Sequence, residues 1–159
     1  MNTATLTPPR NLAQEMEYAT FYVGEILLGV DIGQMEEINR QLEVTVVPHA
    51  PPFVRGVVNL RGEVVTVVDP RVILGLPITE VSATSRTVIV RHRGEQIGLL
   101  VDRIADVVRI SAGEMEPPPA NVSGVEGRFF KGVYKLQTEL LIVLDVETAL
   151  SAPASDRQA

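Results

Sequence analysis

No cysteine and no tryptophan occur among the 159 residues. Without thiols the chain has neither a disulfide framework nor a thiolate metal site, which fits a reducing cytoplasm. Aromatic residues make up 4% of the chain, too few for the stacking platforms that hold single-stranded nucleic acid. Basic residues are also in the minority, 14 Lys and Arg against 20 Asp and Glu for a net charge of −6. A binder of phosphate backbones needs a basic face, so no nucleic-acid partner is expected. The two histidines, His49 and His92, stand far apart, without a ligating neighbour at metal spacing. No Gly-x-x-x-x-Gly-Lys-Ser/Thr, Gly-x-Ser-x-Gly or His-Glu-x-x-His stretch occurs. The expectation is a protein that is not an enzyme, with no cofactor and no metal. Long hydrophobic runs are missing as well: the longest are about five residues, against the roughly 20 that span a bilayer. The first ten residues lack a basic region followed by an apolar one, so neither a signal peptide nor membrane insertion is expected. This points to a soluble, cytoplasmic protein.

What the chain has in quantity is β-branched residues in short runs. Arg55-Gly-Val-Val-Asn-Leu-Arg-Gly-Glu-Val-Val-Thr-Val-Val-Asp69 reads as two strands joined by a tight polar turn at Asn59 to Glu63. Arg61 sits at the tip of this hairpin. A guanidinium there presents a flat fork of donors to something outside the sheet and is costly to bury without a carboxylate. The pattern returns 76 residues on: Gly56, Leu60, Glu63 and Asp69 are answered by Gly132, Leu136, Glu139 and Asp145. Upstream, Gly29 to Ile38 lies over Gly98 to Val107 at an offset of 69. Each half therefore carries the same strand, strand, hairpin order, the signature of a duplicated unit. The tips differ, because Arg61-Gly62 is answered by Gln137-Thr138.

Residues 1–17, polar and proline-containing, are expected to form a flexible arm and 151–159 a flexible tail. Between them, Tyr18 to Ile32 reads as a first hairpin, Met35 to Ile38 as a strand or short helix, and Val44 to Val47 as a strand stopped by the prolines around His49. Pro70 to Gly75 is a helical turn, with proline at its start and glycine at its end. After a linker over Leu76 to Ser85, strands recur at Arg86 to Arg91, Ile97 to Val101 and Ile104 to Ile110. An irregular loop around Pro117 to Gly127 leads to the second hairpin, and Val146 to Leu150 forms a last helical turn. Many short strands with frequent turn signals indicate an all-β fold of two small barrels, one over about 18–82 and one over about 83–150.

Asp69, Asp102 and Asp145 each follow an apolar strand, without a companion base or nucleophile, and are read as caps of the following turn. Glu37 closes the strand system expected to pair with the hairpin that bears Arg61, where its carboxylate can hold the guanidinium in one rotamer. Exposed strand edges are natural places for another protein to add on.

Val47-Pro-His-Ala-Pro-Pro-Phe-Val-Arg-Gly-Val-Val-Asn-Leu-Arg-Gly-Glu-Val-Val-Thr-Val-Val-Asp-Pro-Arg71 resembles the CheW adaptor family of bacterial chemotaxis. Ile97-Gly-Leu-Leu-Val-Asp102, Phe130-Lys-Gly-Val-Tyr-Lys-Leu136 and Leu140-Leu-Ile-Val-Leu-Asp145 match the family's later motifs in order, so the likeness covers roughly Tyr18 to Leu150. It implies two SH3-like five-stranded barrels on a shared apolar core. It also implies a non-enzymatic coupling protein that binds the cytoplasmic tip of methyl-accepting chemoreceptors and the regulatory domain of the histidine kinase CheA. Further CheW-like domains would join it in rings beneath the inner membrane at receptor arrays. Carried over residue by residue, Asn59, Arg61 and Gly62 of the turn, with Glu37, Gly56 and Met35, fall on positions tied to receptor and kinase coupling. For Gly56 the residues themselves offer another account, that only glycine tolerates the local backbone or close packing. The rival readings are a similar adaptor in a related chemosensory pathway, such as surface motility, and an oligonucleotide-binding barrel, which the acidic composition disfavours.

Overall fold

A residue branched at Cβ packs well on a pleated surface and is restricted in a helix, so the Val- and Ile-rich runs separated by glycine turns become strands. The structure, a computed structural model, describes residues 15–40, 42–78, 80–122 and 125–151. Most of the expected arm and tail falls outside these residues. In chain order the strands are β1 (Glu15–Val23), β2 (Ile26–Asp31), β3 (Met35–Asn39), β4 (Val54–Leu60), β5 (Glu63–Val68), β6 (Arg86–His92), β7 (Glu95–Val101) and β8 (Arg103–Ser111). A short ribbon of β9 (Asn121–Val122) and β10 (Val125–Glu126) precedes β11 (Phe130–Lys135) and β12 (Leu140–Leu144). A short helix follows each repeated hairpin, α1 (Pro70–Leu74) and α2 (Val146–Ser151).

The two five-stranded sheets do not divide the chain near residue 82. One has the order β11-β12-β2-β1-β8, the other β3-β6-β7-β5-β4. Each sheet keeps the first two strands of one repeat and takes the remaining three from the other. Repetition identifies equivalent strands but says nothing of whether a hairpin pairs within its own repeat. The exchange begins immediately after the second strand: Ile32 to Gln34 carry the chain from β2 to β3, and Asp102 alone carries it from β7 to β8. The hairpins then close the sheets through parallel pairs, which no tight turn could join. Leu28 faces Ile142 and Gly29 faces Val143, as Ile97 faces Thr66 and Gly98 faces Val67. Those registers reproduce the offsets of 69 and 76 seen in the sequence.

Strands buried on both faces read as continuous apolar runs. One face of each sheet turns toward the other, and Phe21, Val23, Leu28 and Val30 pack with Val88, Val90, Leu99 and Val101 in a shared core. The other faces curl around separate interiors, Tyr18, Leu27, Ile110, Leu141 and Val143 in the first sheet and Val58, Leu60, Val65, Val67 and Ile89 in the second. The architecture is thus all-β, two small barrels on a common apolar core.

Local departures have local causes. β1 starts at Glu15, because its outer edge is paired with β8 as far as Ser111. Val44 to Val47 form no strand. Only Thr45 bridges, exchanging hydrogen bonds of 2.8 and 2.9 Å with Val57 before the prolines end the ladder. Met35 to Ile38 is a strand, and the loop before β11 holds the β9–β10 ribbon. Asp69 caps α1 by accepting from the Arg71 amide at 3.0 Å, and Asp145 accepts from the Thr148 amide at 3.1 Å. Asp102 caps nothing. With no helix after it, its carboxylate accepts from the Gly24 amide at 2.6 Å in the turn of the opposite sheet.

Candidate interaction site at the Glu37–Arg61 pair

At the tip of the β4–β5 hairpin, Arg61 (φ 52°) and Gly62 (φ 88°) both occupy the left-handed region. That is the turn whose twist matches the flanking strands, and glycine at its second position avoids the cost a side chain would bring. Leu60 and Glu63 form the closing pair, and the Asn59 side-chain oxygen accepts from the Gly62 amide at 2.9 Å. Asn59 therefore locks the turn that presents Arg61.

Glu37 lies on β3, and the sequence reading that placed β3 beside the Arg61 hairpin needs correction. β3 and β4 are opposite edges of the second sheet. They meet because the sheet curls, and the Arg61 guanidinium spans the seam, donating from Nη1 to Glu37 Oε1 at 3.2 Å and from Nη2 to Oε2. This two-point fork fixes orientation as well as distance. The guanidinium side chain stays 67% exposed while Glu37 is 24% exposed, so the carboxylate acts as the support and the cation as the displayed group. The hydrogen bonds from Arg61 hold the Glu37 carboxyl below the usual glutamate range, and the same pairing raises Arg61. Next to it, Glu36 accepts from Arg91 and, at 2.7 Å, from Gln96, which lowers its own pKa.

The structure thus gathers Glu37, Asn59, Arg61 and Gly62 in one place, while Gly56 and Met35 stand apart. Gly56 is buried at a bulge with φ 147°, and a Cβ there would fall 2.2 Å from the Thr45 carbonyl oxygen. Its role is to let the Val44–Thr45 segment cross close over β4. Met35 packs partly buried against the shared core. Two neighbours went unread in the sequence. Val64, directly across from Asn59 in the ladder, is 73% exposed, and Ile38, next to Glu37, is 40% exposed. Strand alternation turns both outward: Val65 and Val67 point inward on β5 and leave Val64 on the other face, and on β3 Ile38 shares the exposed side with Glu36.

Apolar residues of both halves also meet in a narrow cleft between α1 and α2, where Ile73, Leu74 and Leu99 approach Leu144, Val146 and Leu150. Among the described residues no group of three His, Cys, Asp or Glu side chains is placed to hold a metal ion, and no helix is long and apolar enough to cross a membrane.

Comparison with known proteins supplies the context for this geometry. The family described as CheW-like domain matches residues 17–154. The Chemotaxis protein CheW of Rhizobium meliloti is 30% identical over 143 residues, covering 90% of this chain and 91% of the relative. The Thermotoga maritima protein of the same name is 34% identical over 134 residues, 84% and 87% of the two chains. Protein FrzA of Myxococcus xanthus is 30% identical over 118 residues, 72% and 74% of the two. Among solved structures, the scaffolding protein TtCheW of Thermoanaerobacter tengcongensis superposes with a TM-score of 0.81 at 29% identity, covering 87% of this chain and 94% of that one.

Proposed function

The chain belongs to the CheW-like domain family and is a chemotaxis coupling adaptor, and we propose that it couples by binding the cytoplasmic tip of chemoreceptors and the regulatory domain of the histidine kinase CheA. The observation that carries the site is the Arg61 fork, held across the barrel seam by Glu37 and still mostly exposed. A cation whose rotamer is fixed before binding loses little entropy when a partner docks. Exposed Val64 and Ile38 add apolar contact beside it, the combination of a charged anchor and desolvated surroundings found in binding hot spots. Gly56 and Met35 belong to this proposal indirectly, through the framework that positions the seam. In the cell the adaptor is placed beneath the inner membrane at receptor arrays, in rings with the kinase domain and further CheW-like domains. The likeness to FrzA makes a related chemosensory pathway the second reading, and which receptor tips are captured separates the two.

The test is binding of purified receptor-tip and kinase regulatory fragments to Arg61→Glu. The variant keeps its fold and binds at least one of the two fragments more than tenfold more weakly. Unchanged affinity for both would remove Arg61 from the site. Pairing Arg61→Glu with Glu37→Arg restores the seam with reversed charge, and continued loss of binding would assign the effect to the displayed cation.

A further inference from the structure

The two barrels are open at equivalent ends. Tyr18 faces Val108 and Asp31 in the first, as Thr87 faces Asn39 and Leu100 in the second. The segments that close these ends also correspond, since Glu116 bridges to Val133 as Thr45 bridges to Val57. The linings differ in chemistry. The first end is lined by Met16, Tyr18, Ile110 and Met115. In the second, the small Ser85 and Thr87 take the places of Met16 and Tyr18, and the cavity runs down to Leu42, Val44, Val67 and Leu100, with Arg55 and Arg86 among its walls.

Its size is about 130 Å³, near the roughly 150 Å³ of an apolar cavity that takes up benzene. The two arginines are not alike. Arg55 reaches the buried Asp69 carboxylate at 3.7 Å. Arg86 donates, through Nη1, to the carbonyls of Ala83 at 3.0 Å and Ser85 at 2.8 Å, and among the described residues it pairs with no carboxylate. A guanidinium has five donors and no acceptor capacity, so Arg86 keeps donors for an anion at an apolar cavity. At the equivalent position the first barrel carries Glu17, paired with Arg109 at 2.9 Å.

We propose that this end of the second barrel is a binding site for a small monocarboxylate with an aromatic or compact apolar body. The body lies among Val44, Val67 and Leu100, and the carboxylate takes the free donors of Arg86. A neutral ring would fill the same space while leaving the charge unanswered, and a bare anion would answer the charge while leaving the apolar wall wet.

Titration of the full chain by amide NMR with benzoate, benzyl alcohol and acetate tests this. Benzoate produces saturable shifts centred on Val44, Val67, Thr87 and Leu100, and binds at least tenfold more tightly than either of the other probes. Arg86→Gln weakens benzoate about tenfold without changing benzyl alcohol, while Arg86→Lys keeps part of the difference. Val81→Phe, which fills the mouth from the loop side, abolishes binding of both. Shifts centred elsewhere, equal affinity for benzoate and benzyl alcohol, or full benzoate binding by Arg86→Gln overturns the proposal. Should Arg86→Gln not fold, Val81→Phe decides alone, and full benzoate binding by that variant places the ligand elsewhere and overturns it.

Discussion

α1 and α2 occupy matching places, each following a repeated hairpin and each reaching toward the opposite sheet, yet they cross with opposite charge. Arg71 on α1 is 3% exposed, contacts Asp69 at 3.4 Å and pairs with Asp102, whose carboxylate in turn accepts from Gly24 in the β1–β2 turn. Glu147, at the equivalent place on α2, is half exposed and pairs with Arg93 in the β6–β7 turn, with His92 Nδ1 3.7 Å away. One crossing is a buried ionic junction, the other a solvated clasp. Duplication thus supplied the geometry twice, and burial decided which copy became structural.

The largest expected effect follows from that contrast. Arg71→Ala leaves Asp102 without its cation and Asp69, fully buried, with only the longer ionic contact to the half-exposed Arg55 at 3.7 Å. Breaking a buried pair from one side costs about 3–5 kcal/mol, which for a chain of this size lowers Tm by on the order of 10 °C. Glu147→Ala removes an exposed partner and should leave Tm nearly unmoved. Thermal unfolding of the two variants side by side measures the asymmetry, and equal losses would show that the two crossings are equivalent after all.

A middle-sized effect separates the two bulge glycines. A Cβ on Gly56 would meet the Thr45 carbonyl oxygen at 2.2 Å, with φ at 147°, so the clash is with backbone and the conformation itself disfavours a side chain. A Cβ on Gly132 meets Met115 Cγ at 2.7 Å and the Glu116 backbone carbonyl oxygen at 2.9 Å, without an unusual φ; the methionine can swing aside, and the carbonyl is less deeply overlapped than the one at 2.2 Å from Gly56. Gly56→Ala should therefore cost about 2–4 kcal/mol and Gly132→Ala about 1–2 kcal/mol, read by denaturant unfolding. If the order reversed, the crossing at Thr45 would be the more compliant of the two.

The same pairs show what was legible before any coordinates. Equivalence of Gly56 with Gly132, and of Gly29 with Gly98, is visible as spacing, and the parallel registers repeat it residue for residue. The exchange of hairpins between repeats is not visible, because it depends on which sheet β3 and β8 join, and either choice buries the same apolar residues. For the same reason Glu37 and Arg61 can be named from charge and position, while their meeting across a seam is a property of curvature. Asp102 resembles Asp69 and Asp145 in following an apolar strand, but a cap needs a helix after it, and β8 begins at the next residue.

The smallest effect makes the second barrel's tip resemble the first. Arg61→Gln imports the uncharged side chain found at Gln137, removing the fork across the seam without altering the left-handed turn. In the parent the Glu37 carboxyl titrates below its ordinary 4.5, chiefly through the hydrogen bonds from Arg61. A carboxyl whose folded pKa is depressed lends stability that is complete above the unfolded value and fades as pH falls through the folded one. The seam should therefore be intact at neutral pH and loosen only below about pH 4.5. Carboxyl-detected NMR titration should show the Glu37 midpoint moving up toward 4.5 in Arg61→Gln, and the parent's own depression shrinking at high salt, because the pair is exposed and screened. If the Glu37 midpoint stayed depressed in Arg61→Gln, its support would come from elsewhere on the sheet. The displayed guanidinium would then be held by nothing in its own barrel, and the contrast between the two tips would reduce to side-chain identity.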